Sequence, residues 1–275
     1  IASRTIASME HQWAQGREIL TGKDVLVIDE AGMIGSRQLE RVLREAGQRK
    51  AKVVLVGDPE QLQAIEAGAA FRSLTEQHPH VEIREIRRQQ EDWQQEATRH
   101  LATGRTGEAL EAYDAHDMVR QAQTREQARN ELIEGWQRDR GEAPNKSRII
   151  LTHTNDEVRA LNELARGKLR EAGSLGEDVN IQVERGHSAF ASGDRVMFLR
   201  NDRGLGIKNG TLGVIETVTP QQMTVRIDAG RSVAFDLKDY AHLDHGYAAT
   251  IHKAQGVTAD RVHVLATPGL DRHAA

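Results

Sequence analysis

The stretch VLVIDEAGMIG, Val25–Gly35, decides how this chain is read. Four apolar residues, mostly β-branched, run straight into two adjacent carboxylates, Asp29 and Glu30, and the chain then turns through Ala31 and Gly32. A second run of the same texture, AKVVLVGD, ends in Gly57 and Asp58. Between the two, SRQLERVLREAGQR repeats Leu39, Val42, Leu43 and Ala46 at helical spacing. Strand, helix, strand in this order predicts a βαβ unit with parallel strands. Such sheets bind ligands beyond the carboxyl ends of their strands, which is where both acidic ends fall.

Working outward, 275 residues with 38% apolar content suffice for one large domain or two ordinary ones with proper cores. No window approaches the roughly 18 apolar residues of a membrane span. The first residues lack the basic, apolar, small-residue order of a signal peptide, so a cytoplasmic setting is expected. With no cysteine, the chain has no disulfide framework, no thiolate zinc site and no cysteine nucleophile. A net charge of -4 argues against coating nucleic acid through bulk positive charge, so any such contact must be local. The chain starts at Ile1 without an initiator Met and stops soon after the strand-like RVHVLA, which reads as a piece of a longer protein.

From about Gln89 to Asn145 the sequence is rich in Gln, Glu, Arg and Ala and predicts exposed helices, closing at GEAPN. Trp13, Trp93 and Trp136 are expected to pack in helical parts. SRIILTHTN then predicts another strand, followed by a helix whose Val158, Leu161, Leu164, Ala165 and Leu169 share a face. Near Gly193 the texture changes. GDRVMFLRND, GTLGVIETVT, QMTVRIDA and RSVAFDL are short, partly alternating strands with turn residues between them, the pattern of a small antiparallel barrel. At Asp244 the α/β texture returns with GYAATIHKAQG and RVHVLA.

A carboxylate at a strand end can hold Mg²⁺ through its waters while a neighbour takes the proton of an attacking water. Asp29 suits the first task and Glu30 the second, although an acid before a turn is also an ordinary strand end. Gly57 permits a tight turn, Asp58 adds an acid at the same sheet edge, and the Gln61 amide can contact a γ-phosphate or its water. GDPEQL also suits a helix start, with Asp58 as N-cap and Pro59 in the first turn.

These residues carry a resemblance. VLVIDEAGMI resembles the Walker B box, motif II, of superfamily 1 helicases, and VLVGDPEQLQAI resembles their motif III. EIRRQ, Glu85–Gln89, is similar to motif IV, and GYAATIHKAQG to motif V of the RecD-like branch. The closest texture is that of the helicase portions of TraA/TraI-type conjugative relaxases. GDRVMFLRND with IKNGTLGVI resembles the SH3-like subdomain that RecD-like helicases carry in their second RecA-like domain. The implied fold is α/β: a partial first RecA-like domain over 1–88, a second over 89–192 continuing through 244–275, and an SH3-like β-barrel inserted at 193–243.

The resemblance implies an ATP-dependent, 5'-to-3' DNA helicase using ATP and Mg²⁺ on single-stranded DNA. It assigns Asp29 to Mg²⁺, Glu30 to the catalytic water, Gln61 to γ-phosphate sensing and Arg88 to the arginine finger, with the adjacent Arg87 as the alternative. Gly57, Asp58, Gln255 and Gly256 join the nucleotide site. Thr250, His252 and Lys253 of motif V are implied to contact DNA, and Thr152, Thr154 and Asn155 of LTHTN can donate to phosphates. Thr154 or Asn155 equally suits a helix N-cap. Arg195, Arg200, Arg203 and Lys208 could steer a strand or form a solvated barrel face. The phosphate-cradling G-x-x-x-x-G-K-[ST] loop of motif I is absent, as is motif VI, so this stretch alone is expected not to hydrolyse ATP. A type IV secretion coupling protein and relaxosome components are the implied partners. The competing readings are a non-catalytic DNA-binding or secretion-signal module and a RecD-like repair helicase.

Overall fold

The computed structural model describes residues 4–17, 19–59, 70–83, 89, 91–184, 186–254 and 257–268. It divides between His116 and Asp117 into two compact units. The sequence places its domain boundary after residue 88; the structural division falls further on, and the next two helices, Asp92–Ala102 and Thr106–Asp114, lie in the first unit.

That first unit runs α1 (Ile6–Ala14), β1 (Val25–Ile28), α2 (Ser36–Gln48), β2 (Lys52–Leu55), α3 (Ala70–Gln77), α4 (Asp92–Ala102) and α5 (Thr106–Asp114). β1 and β2 pair in parallel, Val25 opposite Lys52 and Ile28 opposite Leu55, which is the expected βαβ unit. α2 buries Leu39, Val42 and Ala46 on one stripe. Leu39 and Val42 pack with Ile28, Leu26, Val53 and Leu55 of the strands and with Phe71 of α3. The opposite face of the two strands is open among the described residues: Val25, Val27, Val54 and Val56 are 54%, 59%, 40% and 43% exposed. Parallel sheets usually carry cover on both faces; among the described residues this one carries it on one. α4 and α5 form a helical hairpin in which Trp93 stacks on His116 at 3.8 Å and meets Tyr113 edge-on at 5.3 Å.

The second unit opens with α6 (Arg125–Glu142), β3 (Arg148–Thr152) and α7 (Asn155–Glu171). It continues through β4 (Val179–Val183), β5 (Gly186–Phe190), β6 (Arg195–Phe198), β7 (Leu212–Val218), β8 (Gln222–Ile227), β9 (Ser232–Asp236) and β10 (Leu243–His245). It closes with β11 (Ala248–Thr250) and β12 (Arg261–Val264). β3 is the middle strand of a parallel sheet ordered β11-β3-β12. α6 and α7 cover it, with Ile133, Trp136, Val158, Leu161, Ala165 and Leu169 packed around Ile150 and Tyr247. Leu164 sits at the edge of that stripe and is 36% exposed, because Leu161, Ala165 and Leu169 at i, i+4 and i+8 define the buried line. Trp13, Trp93 and Trp136 all lie in helices, as expected.

Inserted between α7 and β11 is an antiparallel sheet ordered β10-β6-β7-β8-β9, with β4 and β5 as a hairpin beside it. This β-module begins at Val179, earlier than the change of texture at Gly193. The reason is packing: Ile181, Val183 and Phe190 of the hairpin share one core with Val196, Phe198, Ile215, Val225, Phe235 and Leu243. β8 alternates as the sequence predicts, burying Met223, Val225 and Ile227. A register shift between Ile215 and Thr217 marks a bulge, a device that bends a sheet around its core.

Phe198 is fully buried at the centre of that core, with ring contacts to Phe235 at 5.8 Å and Tyr240 at 5.7 Å. Phe198→Ala should cost about 3–5 kcal/mol of stability in denaturant unfolding. Leu110→Ala on the exposed side of α5 should stay within about 0.5 kcal/mol of the parent.

Candidate functional site

In the first unit the two acidic strand ends are locked together by backbone. Val56 N donates to Ile28 O at 2.8 Å and Ala31 N donates to Val56 O at 2.9 Å, which carries the parallel ladder past the last residues of β1 and β2. Between those rungs the chain must turn sharply. Glu30 does so with φ 53 and ψ 42, in the left-handed region that favours glycine, and a 3-10 turn follows over Ala31–Met33. Asp29 Oδ1 accepts from Glu30 N at 3.0 Å and steadies the turn. Asp29, Glu30, Gly57 and Asp58 are all exposed at this rim.

Two glycines make the approach possible. A Cβ on Gly57 would stand 2.9 Å from Ala31 N and 3.1 Å from Gly32 N, and one on Gly32 would stand 2.8 Å from Asp58 O. Gly32 reads from sequence only as part of the turn; what marks it out is its pairing in space with Gly57. The structure therefore brings Asp29 and Glu30 beside Gly57 and Asp58, while Gln61 and Arg88 lie outside the described residues.

In the second unit, the strand ends of β3 and β11 meet in the same way. Thr152 pairs with Thr250 in register, and Ile251 N donates to Thr152 O at 2.9 Å. Thr152 is fully buried, so its hydroxyl does not reach the surface. Thr250 is buried too, and its Oγ1 accepts from Lys253 N at 3.3 Å, closing the turn that presents His252 and Lys253. Thr154 is the N-cap of α7: its Oγ1 accepts from Glu157 N at 3.2 Å. Asn155, the first residue of that helix, and His252 are exposed, and Lys253 is half-buried. Gln255 and Gly256 lie outside the described residues.

Charge is handled differently here. Glu157, buried at the start of α7, receives Arg129 Nε at 2.6 Å and Nη2 at 2.9 Å. That hydrogen bond outweighs burial and holds its carboxyl below the usual range. Asn162 clamps the chain entering β11: its Oδ1 accepts from Tyr247 N at 3.1 Å and Ala248 N at 2.8 Å. Of the basic residues in the β-module, Arg195 is paired with Asp228 at 2.5 Å, and Arg200 Nη1 lies 3.3 Å from His242 Nε2. Arg203 and Lys208 are exposed. Sequence reasoning passed over Glu157 and Asn162; a polar residue within the apolar stripe of α7 was the available sign.

Since the obstacle at Gly57 is backbone and not a flexible side chain, Gly57→Ala should lower stability by about 1–3 kcal/mol, the range for overpacking. The same change at Gly47, where nothing lies within 4 Å, should leave stability at or above the parental value in the same urea titration.

A family model described as an AAA domain matches residues 1–124. A probable conjugal transfer protein TraA from Sinorhizobium fredii is 43% identical over 276 residues, covering 99% of this chain and 25% of that protein. The RecBCD enzyme subunit RecD from Mycolicibacterium smegmatis is 32% identical over 260 residues, 88% of this chain and 45% of the subunit. Among solved structures, the Pif1 helicase from Bacteroides in complex with ADP-AlF3 and ssDNA aligns with a TM-score of 0.57 at 20% identity, covering 89% of this chain and 65% of that one. At that identity the likeness shows the fold, which is RecA-like α/β with parallel sheets. The chain spans about a quarter of the length of the TraA protein it matches. By end-to-end sequence similarity and by fold, it belongs to the RecD-like helicase regions of TraA-type conjugal transfer proteins.

Proposed function

We propose that this chain is part of an ATP-dependent, 5'-to-3' DNA helicase within a conjugal transfer protein, moving on single-stranded DNA during plasmid transfer. The observation that carries the reading is the junction of Asp29 and Glu30 with Gly57 and Asp58, formed by the Ala31–Val56 rung. Identity of 43% over nearly the whole chain to TraA, against 32% over 88% to RecD, favours transfer over repair. The single-stranded DNA held by the Bacteroides Pif1 helicase supports that substrate class.

The first-unit rim fits a nucleotide-bound Mg²⁺. Asp29 is an exposed hard oxygen donor, and Mg²⁺ takes few protein ligands and keeps its waters. When bound, Mg²⁺ neutralises charge that develops on the phosphates. Glu30, exposed on the turn next to Asp29, is the group we assign to take the proton of the attacking water. Gln61 as γ-phosphate sensor, Arg88 as finger, and Gln255 and Gly256 at the nucleotide rest on the motif resemblance.

For DNA, the second unit offers a helix N-terminus capped by Thr154, with Asn155 exposed in its first turn, and the turn bearing His252 and Lys253. Helix N-termini and short basic turns suit phosphates. Thr152 and Thr250 support this rim from below. The β-module is read as an SH3-like barrel, on the strength of its strand order and single core. Within it, steering falls to the exposed Arg203 and Lys208, since Arg195 is engaged by Asp228.

In the full-length parent protein, Glu30→Gln should keep ATP binding and lower turnover roughly 10² to 10⁴-fold, the range for losing a general base. Asp29→Asn should instead weaken Mg²⁺-dependent nucleotide binding. Parental turnover by Glu30→Gln in a coupled ATPase assay would remove Glu30 from the chemistry. The 275-residue polypeptide by itself, which contains no G-x-x-x-x-G-K-[ST] sequence, should show no DNA-stimulated phosphate release.

A further inference from the structure

The β-module is joined to the parallel sheet of its unit by two chain connections, one from α7 into β4 and one from β10 into β11. Both converge on a single buried carboxylate. Asp194, at the start of β6, is 0% exposed. Its Oδ1 accepts from Tyr247 hydroxyl at 2.7 Å, its Oδ2 accepts from Ala191 N at 2.7 Å, and Arg166 Nε of α7 lies 3.0 Å from both oxygens. The same Arg166 guanidinium pairs through Nη2 with Asp178, immediately before β4, and Arg170 reaches Asp178 at 2.6 Å. One arginine thus ties down the entry connection directly and the exit connection through Asp194 and Tyr247.

The backbone is equally tight. Gly246 N donates to Arg195 O at 2.8 Å, and Tyr247 O accepts from Ile150 N at 2.9 Å. The ladder therefore passes from β6 to β3 within two consecutive residues. A Cβ at Gly246 would stand 2.6 Å from Val196 C, and one at Gly193 would stand 2.6 Å from Ser174 O. Asn162, one helical turn before Arg166, holds Tyr247 N and Ala248 N. β11 follows at once and ends at Thr250, whose hydroxyl closes the turn that presents His252 and Lys253. Burial, then the Asp194 charge, raise the pKa of the Tyr247 hydroxyl, which therefore stays protonated as a donor.

We propose that Asp194, Arg166 and Tyr247 form a rigid joint that makes the β-module and the Thr250–Lys253 turn one mechanical body, so that movement of that turn is transmitted to the module without a hinge. Asp194 and Tyr247 are positioning residues, since they act through the segment 245–248. Its structural half stands on the geometry of this chain; its functional half rests on the helicase reading above.

Hydrogen exchange resolved by segment tests the joint on the 275-residue chain. In the parent, amides of β7 and β8 and those of β3 and β11 should share the same slowest opening, as one cooperative unit. Asp194→Asn should part them, with the β11 amides exchanging at least tenfold faster than those of β8. Tyr247→Phe, which removes only the hydroxyl donor and is the milder change, should part them in the same direction. Separate openings in the parent, or a common opening kept by both variants, would overturn the joint whatever the protein's activity. In the full-length protein, Tyr247→Phe should keep DNA-stimulated ATP turnover within about threefold and lower base pairs unwound per ATP at least tenfold. Turnover and unwinding falling in proportion, or neither changing, would leave the joint without its transmitting role. Absence of any ATP-driven unwinding by the parental protein would instead remove the helicase reading.

Discussion

The peptide group of Ala31 donates to Val56 O one rung beyond the strands that it joins, and the geometry of the first unit follows from that bond. To reach it, the chain leaving Ile28 has to reverse within Asp29 and Glu30, which forces residue 30 into the left-handed region and sets the 3-10 turn behind it. To receive it, the chain leaving Leu55 must pass so close that residues 32 and 57 have no room for side chains. The two carboxylates sit at the rim because the backbone is occupied elsewhere. Parallel sheets expose chemistry at their carboxyl ends for this reason: the ladder ends there and the turns begin.

The second unit solves a different problem with charge. A sheet inserted into another sheet's connection could hang on flexible chain, yet here both connections are short and meet an arginine network. A fully buried carboxylate is tolerable only when its lone pairs are filled, and Asp194 is met by a guanidinium, an amide and a phenol. Glu157 is satisfied by Arg129 in the same manner at the start of α7. The helix that carries Glu157, Asn162 and Arg166 on neighbouring turns is a spine from which the surrounding chain is held.

Local pattern made much of this legible. The β-branched runs at Val25 and Val53, the stripe Leu39, Val42 and Ala46, and the alternation in β8 each reveal their element because a strand or helix repeats every two or 3.6 residues. The hairpin β4–β5 escaped notice: its buried Ile181, Val183 and Phe190 are interleaved with Glu184, His187 and Ser188, so its share in the core of the β-module shows only once the sheet is assembled. Hydroxyls were legible as hydroxyls but not by depth. Thr152 and Thr154 stand two residues apart, and one is buried in the sheet while the other caps a helix. Least legible was Asp194 with Tyr247, separated by 53 positions. A turn aspartate after glycine is common, and nothing local marks it as a keystone.

The left-handed turn at residue 30 has an evolutionary edge. A non-glycine residue held there sacrifices on the order of 1–2 kcal/mol that glycine would not. The backbone, left to itself, would prefer to be without the carboxylate. Drift toward Gly at this site would make the turn firmer while removing its acid, so under the catalytic role proposed for Glu30 a lineage released from that role has a downhill route to a sturdy, silent copy. On the proposed reading, the acid at residue 30 is held for its chemistry and against the comfort of its own turn.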